Sequence, residues 1–205
     1  MAKFTCPACG GEFQLKSKFS VFGVCTYCKS TIVRHDVNLE TMGKMADLPQ
    51  DMSPLQIGTR GQIEKATFEI VGRLKMAWED GAWNEWYVLF DNGKDGWLAE
   101  AQGFYMISYA ISTFDKLPPV DKVSVNSKIS INKDSTFVVD DIKQATCVGS
   151  EGELPFPAPI GRRSTSIDLS GPGDQFACIE YADDGVRIYV GHYAEFSQLA
   201  LSSLR

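Results

Sequence analysis

Trp86-Tyr87-Val88-Leu89-Phe90-Asp91-Asn92-Gly93-Lys94-Asp95-Gly96-Trp97-Leu98-Ala99-Glu100 decides the fold class. Its first five residues are aromatic or aliphatic, the types that suit a pleated, half-buried strand. Asn92 and Gly93 tolerate the positive φ of a hairpin turn, and Gly96–Glu100 resumes as the returning strand. Strands also read at Thr67–Val71 before this hairpin and at Tyr105–Ile111 after it. Further along they return at Ser127–Ile131, Thr136–Val139, Ser166–Leu169, Phe176–Tyr181 and Val186–Val190. Only the tail, Ala194–Leu204, has helical spacing, through Phe196, Leu199, Ala200 and Leu204, so a short C-terminal helix is expected. Residues 55–205 are therefore expected to form a mainly β domain.

This domain reads as two similar antiparallel-strand halves, about 55–115 and 125–205. Ile63 with Phe68-Glu69-Ile70-Val71 is matched by Ile131 with Phe137-Val138-Val139. Phe90-Asp91-Asn92-Gly93 followed by Trp97 is matched by Tyr181-Ala182-Asp183-Asp184-Gly185 followed by Tyr189. Each half would bury one face against the other.

Ahead of the domain stands a different pattern. Cys6, Cys9, Cys25 and Cys28 have the C-x2-C-x15-C-x2-C spacing of a zinc site. Each Cys-x-x-Cys turn aims two thiolates at one point, and two such turns complete a tetrahedral set. Four thiolates leave no open position, so one structural Zn2+ per chain is expected; an iron site with four thiolates and a redox dithiol pair are the alternatives. Phe13, Leu15, Phe19 and Phe22 are available to cover the metal, as in the hairpin of a zinc ribbon over residues 1–38. The other two cysteines, Cys147 and Cys178, sit among apolar neighbours and read as small buried hydrophobes.

Residues 39–54 read as a linker, with Gly43, Pro49 and Pro54 as breakers. Met42, Met45 and Leu48 recur every third residue, which predicts a short amphipathic helix ending before Pro49. Its apolar stripe would pack on a neighbouring domain.

The 205 residues carry 20 Lys+Arg against 26 Asp+Glu, a net charge of −6, which excludes a general polyanion binder. No apolar run reaches the roughly eighteen residues a membrane helix needs. The start, Met1 to Cys6, has no apolar core of a secretory signal, so a cytoplasmic location is expected. The ribbon itself is slightly basic, and Lys16 and Lys18 beside Phe19 form a basic and aromatic hairpin tip. Nucleic-acid binding is thus the second functional reading, behind a protein-docking role.

Catalytic signals are few. Neither His35 nor His192 has a nucleophile motif around it, and phosphate-binding and dinucleotide-binding loops are missing. Glu85 and Glu100 fall on the strand face opposite Trp86 and Trp97 respectively, which reads as a solvated outer face. Arg162-Arg163 reads as a solvated loop pair. A cleft gathering Glu85, Glu100, Arg162 or His192 would favour an enzyme, the third reading. Trp78 and Trp83 flank the turn at Glu79-Asp80-Gly81, outside the alternation that buries Trp86. They are the candidate anchors for a protein partner.

Leu55-x-Ile57-Gly58-Thr59, Phe68-x-Ile70-Val71-Gly72-Arg73, Trp83-x-Glu85-Trp86-Tyr87 and Gly96-Trp97-Leu98-x-Glu100 together resemble the bacterial family catalogued as domain of unknown function 4178. Gly152-Glu153-Leu154-Pro155-Phe156 fits its later part. The resemblance spans roughly residues 55–205, and a leading zinc ribbon suits it. It brings no activity and no catalytic residues. It implies gene neighbourhoods of polyamine-synthase-like enzymes and envelope-stress proteins, hence a non-catalytic adaptor or scaffold near the inner membrane face.

Overall fold

The structure is a computed structural model describing residues 2–35, 38–45, 48, 51–63, 65–114, 116–133 and 135–205. The N-terminal part supplies β1 (Ala2–Thr5), β2 (Glu12–Leu15), β3 (Phe22–Val24), β4 (Ser30–His35) and β5 (Asn38–Lys44). The first half of the large domain is β6 (Arg60–Ile63), β7 (Ala66–Trp78), β8 (Gly81–Phe90), β9 (Asp95–Ala101) and β10 (Phe104–Ile111). The second half is β11 (Lys128–Asn132), β12 (Ser135–Leu154), β13 (Arg163–Ser170), β14 (Gln175–Ala182) and β15 (Gly185–Ala194). Every pairing among these strands is antiparallel.

Each half is a meander of one short strand, one long strand and three more. The long strands β7 and β12 pair with each other, and so do the last strands β10 and β15. The hydrogen-bonded path β7-β8-β9-β10-β15-β14-β13-β12 therefore returns to β7 and closes an eight-stranded barrel. Such a barrel leaves an interior just wide enough for side chains or one small ligand. Both joins between halves depend on glycine. A β-carbon on Gly72 would stand 1.9 Å from the Glu153 carbonyl oxygen, and one on Gly191 would stand 1.8 Å from that of Ile107.

Both long strands carry a bulge at the same place, Val71 in β7 and Asp140 in β12, seen as register shifts against β8 and β13. Ahead of each bulge the strand joins its short partner over the outer face of its own meander. There Phe68 and Ile70 pack with Trp86, Val88, Leu98 and Ile107, while Phe137 and Val139 pack with Ile167, Leu169, Ile179 and Ile188. The barrel wall is thus covered on both faces, apolar outside and more polar inside. Phe68 and Phe137 occupy equivalent places, as the sequence comparison expects. The acidic-glycine turns do not: Asp91–Gly93 joins β8 to β9, whereas Asp183–Gly185 lies between β14 and β15.

Two local expectations are corrected. Residues 38–44, read as the start of a linker and of a helix, form β5 and pair with β4, because Thr41 and Leu39 can continue the hairpin ladder. Met45 is nonetheless buried against the large domain, as its stripe suggests; Pro49, taken as the helix terminator, lies outside the described residues. The tail makes a single 3-10 turn, Phe196–Leu199, before Ala200 turns left-handed at φ 43°. Its buried Leu199 closes the outer core over β8–β10. No helix is long and apolar enough to cross a membrane among the described residues.

Candidate functional site

The metal centre follows from two matched turns. Gly10 N–H donates to the Cys6 carbonyl and Lys29 N–H to the Cys25 carbonyl, at 2.9 and 3.0 Å, and both Gly10 and Lys29 have positive φ. The turns bring the sulfurs of Cys6, Cys9, Cys25 and Cys28 within 4.8 Å of one another. Cys6 Sγ lies 3.8 Å from Cys28 Sγ, and Cys9 Sγ lies 3.9 Å from Cys25 Sγ. A tetrahedral ion with metal–sulfur bonds of about 2.3 Å needs sulfurs about 3.8 Å apart, so the donor set fits a metal. Phe13, Leu15 and Ile32 bury two of the sulfurs, whereas Phe19 is exposed. His35 is exposed and pairs with Glu40 at 3.5 Å, away from the four thiols.

The ribbon's hairpin tip docks on the barrel through Lys16 and Ser17, while Phe19 stays exposed with Lys18 over its ring at 4.8 Å. Lys16 and Ser17 N–H donate to the two oxygens of Glu153 at 2.9 and 3.1 Å, and the Ser17 hydroxyl lies 3.2 Å from that of Tyr87. Lys16 forms an ion pair with Glu69. Next to the tip, β3 pairs with Glu153 and Leu154 at the end of β12, and Phe22 is buried there. The ribbon closes that end of the barrel.

Inside the barrel is a cavity of about 90 Å³, to which all eight wall strands contribute. Trp78, Trp83, Trp97, Phe176 and Tyr189 give it aromatic walls; Glu85, Asp168, Glu180, Lys143, Ser164 and Cys178 are its polar groups. Alternation explains the set. In β13, Ser164, Ser166 and Asp168 face inward and Ile167 and Leu169 outward; in β14, Phe176, Cys178 and Glu180 face inward.

The carboxylates are not equivalent. Glu180 accepts from Arg162 at 2.6 Å, and Arg187 approaches it at 3.5 Å. Asp168 stands 3.7 Å from Lys143, which is also bound to Asp141. Glu85 accepts from the indole N–H of Trp83 at 2.9 Å. Burial, reinforced by repulsion from Glu180 and Asp168, pushes its carboxyl up to about 7. Burial and then Asp168 push the Cys178 thiol well above its ordinary range, which disfavours the thiolate a nucleophile needs. The Ser164 hydroxyl, in a residue 5% exposed, has no hydrogen-bond partner among the described residues.

These placements revise the sequence reading. Glu85 and Glu100 do lie opposite Trp86 and Trp97, but neither face is solvated. Glu85 points into the lumen. Glu100 is buried under the outer layer, accepting from Trp86, Asn84, Ser53 and Tyr105. Arg162 is buried against Phe156, Glu180 and Asp184 rather than solvated, while Arg163 is exposed. Trp78 and Trp83 flank an exposed turn, Glu79 to Ala82, and their rings turn back toward the barrel. They are half-buried, 5.4 Å apart between ring centroids, and line the cavity. Lys143 lies over Trp78 at 5.6 Å. Glu85 and Arg162 approach one site, but Glu100 and His192 do not join them. The sequence reading missed Lys143, Ser164 and Asp168. The one available signal was the Ser164-x-Ser166-x-Asp168 alternation, which reads as a solvent face unless the sheet is known to close.

Fold and site define a small closed β-barrel with a ligand-sized, aromatic lumen and a four-cysteine ribbon across one end. The sequence profile of the family described as domain of unknown function (DUF4178) matches residues 56–196, and the chain belongs to that family. No curated protein and no solved structure matches it.

Proposed function

We propose that this protein binds a small molecule inside the barrel and that the zinc-loaded ribbon is structural support for that site. The observation that carries the reading is the Ser164 hydroxyl, buried against an aromatic cavity with no partner among the described residues. Buried polar groups are nearly always satisfied, and a ligand atom would satisfy this one. At about 10–15 Å³ per water-sized atom, the cavity holds a ligand of about six to nine heavy atoms. Aromatic walls with a few placed polar groups are the usual make-up of such sites. A neutral Cys178 thiol and a Glu85 that lacks a partner nucleophile favour binding over catalysis.

For the ribbon, four thiolates at tetrahedral spacing favour one Zn2+ per chain, with Cys6, Cys9, Cys25 and Cys28 as ligands. Thiolates kept for a metal suit a reducing compartment such as the cytoplasm. Signalling of ligand status to a protein partner would fit the adaptor role the family resemblance implies. Denaturing extraction of purified protein, followed by small-molecule mass spectrometry, tests the binding reading. A compound released from the wild type and missing from Ala99→Phe, a variant that fills the lumen, is the expected result. Identical extracts from two equally folded proteins would count against it.

A further inference from the structure

We propose that the ligand is a small organic cation, a protonated or quaternary amine whose charge sits between the Glu85 carboxylate and the rings of Trp78 and Trp83. The inference rests on the lumen being a binding site and adds the chemistry of what enters it.

The argument is a balance of charge inside a closed wall. Glu180 is answered by Arg162 and Arg187, and Asp168 shares Lys143 with Asp141. Among the described residues, Glu85 has only the neutral indole of Trp83 as a hydrogen-bond partner. A half-buried carboxylate whose one favourable cation, Arg162, is already paired with Glu180 and Asp184 is costly in its charged form, and a cationic ligand would lower that cost. Trp78 and Trp83 supply the other half of the recognition. Indole faces attract an ammonium group through their quadrupole, and the attraction grows when water is excluded. Lys143 over Trp78 is an example within the same wall.

The other ligand chemistries fit less well. An anion would enter beside Glu85 and Asp168, where the one lysine of the lining, Lys143, is already paired with Asp141 and Asp168. A neutral apolar molecule would leave Glu85 protonated and Ser164 without a partner. An amine with a hydroxyl or carbonyl answers both groups, since Ser164 can donate or accept while Glu85 only accepts once ionised.

The test compares three compounds that share one ring: cyclohexylammonium, cyclohexanol and the slightly larger cyclohexanecarboxylate. Each is titrated into the zinc-loaded full chain, with intrinsic tryptophan fluorescence as the readout. The amine should bind at least about tenfold tighter than the alcohol, in line with a desolvated cation–π contact. The carboxylate should not bind. Glu85→Gln, which keeps shape and removes charge, should weaken the amine about tenfold or more and leave the alcohol unchanged; its melting curve confirms that it is folded. Equal or tighter binding of the alcohol or carboxylate overturns the cation inference and leaves the lumen site standing. Binding by none of the three, together with no ligand response that Ala99→Phe removes, overturns both.

Discussion

The hydroxyl of Ser17, in the tip of the metal ribbon, lies 3.2 Å from the phenol oxygen of Tyr87, a residue of the barrel wall. Tyr87 in turn donates to Asp95 at 2.8 Å. The cysteine ribbon is thereby tied by side-chain hydrogen bonds to the barrel wall.

The first prediction concerns that connection. Purified protein should contain one zinc per chain by elemental analysis; stoichiometric iron, or no metal in protein never exposed to chelator, would contradict the assignment. Cys25→Ser should unfold the ribbon, because a module of this size takes most of its folding free energy from the metal. The barrel should keep its far-ultraviolet circular dichroism but melt at lower temperature, since Phe22 and the Glu153 bonds are lost with the ribbon. An unchanged barrel melting point would show that the docking adds nothing.

A second prediction addresses how the halves join. Gly191→Ala and Gly72→Ala each place a β-carbon less than 2 Å from a carbonyl oxygen of the facing strand. Neither backbone can yield without opening its join. Each substitution should cost more than about 3 kcal/mol, in the class of severe overpacking, and yield mostly insoluble protein. Denaturant melts of whatever remains soluble provide the measurement, and near-wild-type midpoints would contradict the closed barrel.

The third prediction uses Asp51, which precedes the large domain and pairs with Arg73, 1% exposed, and with Lys75. Arg73 also donates to Glu151 at 3.2 Å and to Asn84, and lies over Trp86. Asp51→Ala leaves that guanidinium without its main counter-charge and should cost roughly 3 kcal/mol or more. The lysine and arginine hold the Asp51 carboxyl down at about 2, against burial. Its stabilisation is therefore complete above the ordinary carboxyl range near 4 and is lost as pH falls through about 2. Asp51→Asn should flatten the acid limb of the stability profile.

Glu85 gives the opposite sign. Its folded carboxyl titrates near 7 against 4.5 for the ordinary group, so the folded state binds the extra proton. Stability should fall as pH rises from about 4.5 to about 7 and then level off. Asp168, raised by burial, adds to the same trend, while Arg162 opposes it. Glu85→Gln should remove most of the fall in melting temperature over that window. A profile unchanged by the substitution would place the charge elsewhere.

How far the sequence reveals this arrangement depends on what kind of relationship is asked of it. The Cys-x-x-Cys pairs are local, and their spacing alone predicts the sulfur cluster. Strands such as Trp86–Phe90 are local too, and so is the match of Phe68 with Phe137. Closure is not local. Whether Glu85 or Ser164 faces water or an enclosed lumen depends on β7 meeting β12 and β10 meeting β15, more than sixty residues away in sequence. A polar face alternating with an aliphatic one looks the same in both cases, which is why Glu85, Glu100 and Arg162 read as solvated. Trp78 and Trp83 flank a turn that is exposed, as read, but that their half-buried rings also line a cavity depends on the same closure.

The central claim is that the lumen is a ligand site, and intrinsic fluorescence tests it most directly. Trp78, Trp83 and Trp97 line the cavity while Trp86 lies behind the wall. A library of fragments of about six to nine heavy atoms should contain compounds that change the emission saturably, one per chain. The change should disappear in Ala99→Phe with its fold intact. If no fragment gives a saturable change, or if wild type and Ala99→Phe respond alike, the cavity is only the packed interior of a barrel.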